Sequence, residues 1–416
     1  MAAKLKIKNL TKIFGPSPAE ALKRLRAGES KATIFEATGN TVGVNSASFD
    51  VEQGQIFVVM GLSGSGKSTL VRMLNGLIKP TGGSIHIDGE DIAACSPATL
   101  RRVRREKVAM VFQHFALFPH MSVIDNAAYG LKIKGVAPDE RRERAQAALD
   151  QVGLSAHAES KPSDLSGGMQ QRVGLARGLA TDPEVLLMDE PFGALDPLIR
   201  RDVQDELLRL QKTLKKTIIF ITHDLNEALL LGDRIAIMKD GEVVQIGTAQ
   251  DIVSQPANDY VAAFVADIDR GRVFTAETVA VEPAVLQLDG DTAGDAVRTM
   301  EEQNRGAVYV LDGEQIAGVV TYQQAAAADR ESGTSDVPIA EVMITDYPSA
   351  DPGTQLVDLY GHASTGLPIA VTDADNKLVG VVEPEAVFAQ LSGDPAQDEA
   401  PPAPLADDAA QPAAAR

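Results

Sequence analysis

Two hydrophobic rhythms alternate along this chain. Residues 4–10 put Leu5 and Ile7 on one face at period two, which predicts a short strand. Residues 16–43 are less regular, with a charged stretch over 23–31 that suits a helix. A compact apolar run over 55–60 reads as a buried strand ending at a cluster of glycines, and the spacing of 68–77 suits a helix. Helical composition over 141–152 and a helix over 166–179 follow, before the rhythm shifts to an apolar strand core at 185–188. A helical stripe at 203–214 and a β-rich run at 217–221 come next; short strands at 235–238 and 243–246 are joined through Asp240 and Gly241 as a hairpin. Strands alternating with helices predict a layered α/β domain around a largely parallel sheet.

Residues 256–272 read as the exit from that domain, and beyond them the pattern repeats itself. AVYVLDGEQIAGVV at 307–320 and PIAVTDADNKLVGVV at 368–382 each give a strand, a polar turn and a second strand ending in GVV. This predicts a duplicated small module. From 391 onward Pro, Ala and Asp dominate and the apolar periodicity stops, which predicts a disordered tail. The expected organisation is an α/β domain over 1–265, a linker over 266–274, a smaller α+β domain of paired modules over 275–390, and an acidic tail over 391–416.

Composition narrows the function classes. A length of 416 residues exceeds a comfortable single core, in keeping with two or three domains. The formal charge of -19 argues against general attraction to a nucleic-acid backbone, so no nucleic-acid partner is expected. The basic cluster of Arg101, Arg102, Arg104, Arg105 and Lys107 is the one local exception, and it reads as a solvated helix face. Cys95 is the single cysteine, which excludes an internal disulfide and a four-cysteine zinc site and fits a reducing compartment. No signal-peptide pattern and no run of about eighteen apolar residues is present, so a membrane role is expected only through partner subunits.

The candidate chemistry sits in the first domain. GLSGSGKS at 61–68 matches the phosphate-loop pattern in full. Its glycines let backbone amides curl around phosphate, Lys67 can reach the outer phosphates, and Ser68 can ligate magnesium. Asp189 ends an apolar strand, where a carboxylate can serve the same metal; Glu190 follows it, placed to accept a proton from attacking water. Ser166, Gly167 and Gly168, within LSGGM at 165–169, open a helix and can present a hydroxyl and close amides to an anion.

Taken together, these motifs resemble those of ABC transporter ATPases over about residues 4–265. The resemblance implies ATP and Mg2+ as ligands, with nucleotide contacts from Gly61, Ser63, Gly64, Ser65, Gly66, Lys67, Ser68 and Thr69. It makes LSGGM the signature motif, facing nucleotide held by a second copy of the subunit. Gln113 matches the glutamine loop that contacts magnesium or water, residues 194–196 match the subunit-coupling loop, and His223 matches the switch histidine at the terminal phosphate. Glu190, His223 and Gln113 thereby become the catalytic candidates, and Ser68, Gln113 and Asp189 the metal set. Phe14 is the implied adenine platform, a core aromatic being its structural alternative.

The insertion at 16–43 and the paired C-terminal modules further resemble ATP-binding subunits of glycine betaine/proline betaine importers, whose modules are of the cystathionine-β-synthase type. This implies work at the cytoplasmic face of the membrane with permease subunits and, indirectly, a substrate-binding protein. Choline, carnitine or an amino acid are alternative cargoes. A non-transport ABC ATPase acting on nucleic acid or ribosomes is disfavoured by the single cassette, the lack of a long coiled-coil insertion and the acidic balance. The paired modules are expected to regulate, sensing ionic strength or an adenine nucleotide.

Overall fold

Period-two alternation at the start of the chain runs farther than the short motif suggests, giving a strand over Ala3–Phe14 that pairs on both sides. In this computed structural model, which describes residues 3–113, 115–332 and 337–392, the chain divides into two units between Ile268 and Asp269. His114 and the expected tail beyond Ser392 lie outside the described residues.

The first unit has two sheets. Thr41–Glu52, Ala3–Phe14, Gly82–Ile87 and Glu90–Asp91 form an antiparallel sheet in that order. A second sheet runs Glu242–Gly247, Arg234–Lys239, Ile56–Met60, Thr217–Thr222, Val185–Asp189, Val108–Val111, parallel throughout except for the hairpin at its first edge. Its central strands are buried on both faces, which is why they read as unbroken apolar runs. Within Ile56–Met60 the alternation is still present: Phe57 and Val59 join Leu5, Ile7, Phe49 and Leu70 between the sheets, whereas Ile56, Val58 and Met60 face the helical side. Phe49 stacks on Phe57 with ring centroids 4.8 Å apart and 6° between planes, packing one sheet on the other.

On the helical side, Val123–Lys134, Pro138–Gln151 and Gly167–Ala180 share one core with Val111, Leu186 and Phe220. The first of these helices has no clear amphipathic stripe, because Ala127, Ala128, Leu131 and the polar Asn126 are all buried. Asn126 is satisfied by accepting from Phe118 N at 2.7 Å and donating to the carbonyl of Ser122 at 2.9 Å.

The insertion departs from its sequence expectation. The helix expected over 23–31 is instead two helices, Pro18–Arg26 and Lys31–Thr38. Gly28, at φ 88°, breaks the first, and Ser30 caps the second by accepting from Thr33 N. Fully buried Asn40 closes the insertion at its base, accepting from Ser17 N and donating to Ser17 Oγ and the Thr38 carbonyl. The basic cluster lies on helix Pro97–Glu106 and its C-cap Lys107 as a largely solvated face, with Arg101 and Arg105 exposed, while Arg102 binds Glu90, Arg104 Nε donates to the carbonyl of Asn75, and Lys107 binds Asp88.

The segment 266–274, expected as a linker, is divided. Ile268 closes the first unit, whereas the turn Arg270–Arg272 packs beside helices Leu356–Ala363 and Pro384–Ser392 of the second, and Val273 and Phe274 are buried. The second unit has two three-stranded sheets: Val285–Gln287, Ala307–Asp312, Gln315–Thr321 and Ser349–Ala350, Ile369–Thr372, Leu378–Val382. In each, the first pair is parallel and the second antiparallel, so the sequence repeat is a structural repeat. Tyr309, Val319, Ala370 and Val381 form a core shared by both, and the buried Tyr309 hydroxyl donates to the Pro368 carbonyl at 2.6 Å.

One ion-pair cluster ties the antiparallel sheet to the strand Val185–Asp189. Lys4 binds Asp88 at 2.7 Å and also Glu184, and Lys107 binds Asp88 at 2.9 Å. Burial opposes ionisation of Asp88, but the two ammonium groups outweigh it and hold its carboxyl at about 2, below the ordinary 3.8. A depressed folded value means the cluster stabilises fully above about pH 4 and loses that contribution as pH falls towards about 2. Denaturant unfolding of Asp88→Asn across that window is expected to show lower stability at pH 5 and a shallower loss on acidification than the unsubstituted chain.

Candidate functional site

Three adjacent parallel strands end together. Met60 lies beside Thr222, and Asp189 beside Ile221, so the loops after Ile56–Met60, Thr217–Thr222 and Val185–Asp189 leave the sheet at one edge. The first of these loops returns through Gly66 into helix Lys67–Leu74. Gly61, Gly64 and Gly66 have φ of 150°, 82° and 99°, a region that favours glycine. Space demands glycine as well: a Cβ on Gly61 would collide with the Met238 carbonyl, and one on Gly66 would lie 2.5 Å from the Gly43 carbonyl. Gly241 N donates to the Ser65 carbonyl and Asn45 N to the Gly241 carbonyl, fixing the loop to its neighbours.

Lys67 is 4% exposed. Its ammonium donates to the carbonyls of Gly61 at 2.7 Å and Leu62 at 3.1 Å and stands 4.0 Å from Glu190 Oε1. Burial lowers its pKa, with Glu190 and Asp189 opposing that shift. Gly43, Ser63, Gly64, Gly66, Lys67, Ser68, Thr69 and Glu190 line one open cleft.

Ser68 Oγ donates to Asp189 Oδ1 at 3.3 Å. Burial raises the Asp189 carboxyl above its ordinary range, against the lowering effects of Arg72 and the Ser68 hydrogen bond. Glu190 has φ 45°, an uncommon backbone for a side-chain-bearing residue that costs on the order of 1–3 kcal/mol and concentrates at working sites. Its amide donates to the Ile221 carbonyl, and its Oε2 lies 3.0 Å from His223 Nδ1. A Cβ on Gly193 would stand 3.5 Å from Gln113 Nε2 and 3.9 Å from Glu190 Oε2, so the glutamine amide and the carboxylate face the same small space.

Phe14 is 41% exposed at the end of its strand, which sets aside its reading as a core aromatic. Its ring lies against Gly43, whose Cβ, if present, would stand 2.9 Å from Phe14 Cε2. Ser166 caps helix Gly167–Ala180 by accepting from Met169 N at 3.3 Å, and Gly168 has no room for a side chain because Ile199 is packed against it. Within one chain, Ser166, Gly167 and Gly168 are not among the residues lining the cleft at Lys67.

The structure thus brings Gly61 to Thr69, Gln113, Asp189, Glu190 and His223 to one sheet edge, places Phe14 beside it through Gly43, and leaves the LSGG turn apart. Gly43 and Gly193 escaped the sequence reading. Neither lies in a motif with a local signal; Gly43 matters through the approach of Phe14 that its missing side chain allows, and Gly193 through its place beside Gln113 and Glu190.

Residues 44–193 match the family description ABC transporter, and residues 280–330 match CBS domain. The chain is 49% identical over 387 residues to the glycine betaine/proline betaine transport system ATP-binding protein of Salmonella typhimurium, spanning 92% of this chain and 96% of that protein. It is 47% identical over 393 residues to the glycine betaine/carnitine transport ATP-binding protein of Listeria monocytogenes, spanning 94% and 98%. Among solved structures, a dimeric bacterial ABC transporter cassette aligns at 34% identity with a TM-score of 0.50, over 59% of this chain and 98% of that cassette.

Crowding at the loop makes a sharp expectation. Gly66→Ala forces a methyl group onto the Gly43 carbonyl and strains a left-handed backbone, so equilibrium titration with a fluorescent ATP analogue should show binding weakened by about tenfold or more.

Proposed function

Because this chain belongs to the ABC transporter family as an ATP-binding subunit, an ATPase coupled to transport, we propose that it energises import of glycine betaine, proline betaine or a related quaternary amine. The observation that carries the cargo class is likeness over nearly the whole length of two betaine-transport ATP-binding proteins, C-terminal unit included. Domain limits follow the same reading: the ATPase over 1–265, and the paired CBS modules over 275–390 as its regulatory part.

In this reading ATP lies with its phosphates on the loop 61–68 and its base on Phe14. Lys67, already stripped of water, exchanges its two carbonyl partners for phosphate oxygens at little further desolvation cost. Among the described residues no cluster of three His, Cys, Asp or Glu forms a metal cage, but Mg2+ in phosphate sites needs only one or two protein oxygens. The Ser68 hydroxyl and the buried Asp189 carboxylate, 3.3 Å apart, fit that role, with the Gln113 amide near Glu190 beside Gly193. Mg2+ held there would supply charge neutralisation at the outer phosphates. Glu190 accepts a proton from water as its oxygen attacks the terminal phosphorus and the bond to ADP breaks; His223 holds the Glu190 carboxylate in place through the 3.0 Å contact.

A second copy of the subunit is part of the proposal. Ser166 and Gly167 of the LSGG turn are exposed and apart from their own chain's cleft, with Gly168 buried behind them, as expected if this turn completes the nucleotide site of the partner. No helix among the described residues is long and apolar enough to cross a membrane, so translocation is assigned to permease subunits, with this chain at their cytoplasmic face and a separate protein delivering the cargo.

Two measurements test the reading. In the assembled transporter, Glu190→Gln should keep ATP binding and lower phosphate release by roughly 100-fold or more, since the amide preserves size but cannot take the proton. Deleting this subunit should abolish high-affinity uptake of labelled glycine betaine. Unchanged uptake, with a different solute lost, overturns the cargo assignment. For the second unit, truncation after Ile268 should retain ATP-driven uptake and flatten its response across a salt series at constant osmotic gradient; identical curves remove the ionic-sensor role.

A further inference from the structure

Behind the switch histidine lies a buried polar cluster that the mechanism above does not use. Thr222, immediately before His223, donates its hydroxyl to Glu227 Oε2 at 2.6 Å and accepts from Asp224 N at 2.9 Å. Glu227 is 5% exposed, and its second oxygen accepts from Gln204 Nε2 at 3.0 Å. Burying a carboxylate this deeply is costly without full pairing, and desolvation raises its pKa despite these partners. Its nearest cation is Arg200, on helix Pro197–Leu214, with Nε at 3.8 Å.

Arg200 reaches three ways. Its Nη2 donates to the Leu195 carbonyl at 3.2 Å, and its Nη1 to Asp224 Oδ2 at 3.3 Å, while Nε, buried and without a hydrogen bond among the described residues, faces Glu227. One guanidinium therefore holds the residue after His223 directly, holds the residue before it through Glu227, and grips the loop 194–196. Asp196 of that loop caps the same helix, accepting from Ile199 N at 3.1 Å, so the loop cannot shift without moving the helix start that carries Arg200.

We propose that Arg200 and Glu227 are positioning residues which hold the imidazole of His223 against Glu190 by fixing the residues on either side of it, an inference that rests on the ATPase reading of Glu190 and His223. Neither side chain lines the cleft at Lys67. Their work is to set the orientation of His223 from the loop 194–196 and the helix behind it. In a low-dielectric setting the planar guanidinium suits this task, because its fork fixes direction and a lysine would satisfy only one acceptor at a time.

The test uses the assembled full-length transporter, with ATP turnover measured as a function of ATP concentration. Arg200→Lys and Glu227→Gln are expected to leave KM within about twofold and lower kcat by about tenfold. On a His223→Ala background the same substitutions should cost nothing further, because the residue they position is gone. Unchanged kcat in Arg200→Lys overturns the proposal, as does a loss that persists undiminished on the His223→Ala background, which marks a purely structural cluster. Should Glu227→Gln fail to fold, Arg200→Lys, which leaves the buried carboxylate in place, decides alone. Wild-type turnover that is insensitive to Glu190→Gln refutes the ATPase reading instead, so the two failures are separable.

Discussion

Registered termination of three neighbouring parallel strands is the constraint on which the site depends. Parallel pairing of Ile56–Met60, Thr217–Thr222 and Val185–Asp189 fixes where each strand stops relative to the others. Gly61, His223 and Glu190 are the residues that follow those stops. A slip of one residue in any strand would turn its alternating side chains to the opposite faces and move its loop residue by about 3.3 Å, more than the margin of a 3.0 Å hydrogen bond. The register is in turn held by burial on both sides: Phe57 and Val59 are committed to the core between the sheets, Val58 and Met60 to the helical core. The geometry of the site is a by-product of hydrophobic packing several residues away.

On that frame the electrostatics are deliberately incomplete. Lys67 is nearly buried and satisfied only by two backbone carbonyls and a carboxylate 4.0 Å away, while desolvation works against the charged forms of both Lys67 and Asp189. Such a cleft gains most from a ligand that brings both anionic oxygens and a hard cation, which is what a magnesium nucleotide offers. The strained backbone at Glu190 belongs to the same economy: folding energy stored in the sheets holds a carboxylate where an unstrained turn would not put it.

The second unit obeys different physics. Its repeat folds as two small sheets that close on one another through Tyr309, Ala370 and Val381. Residues 341–416 carry only Lys377 and Arg416 against thirteen acidic residues, and Lys377 is bound to Glu314. Attraction of this half to an anionic lipid surface therefore has little positive charge to work with, and a salt response routed through it must use another contact.

The sequence by itself determined the class of fold and the chemistry of the loop. Unbroken apolar strands, the phosphate-loop glycines, the carboxylate pair 189–190 and the GVV repeats are local signals, because each depends on neighbours within a few residues. Tertiary structure alone decided what lies far apart in the chain. That Gly43 must lack a side chain for Phe14 to approach and Gly66 one for the Gly43 carbonyl, that Gln113 and Glu190 meet beside Gly193, and that Arg200 and Glu227 hold the residues on either side of His223 are consequences of packing between distant segments. The partners of the arginines on helix Pro97–Glu106 and the whole of helix Val123–Lys134 were illegible for related reasons: the first lie elsewhere in the chain, and the second is buried around so much of its surface that no stripe remains. Periodicity reports which side of an element meets water, so it falls silent where an element meets protein on most sides or where a residue's meaning is the absence of its own atoms.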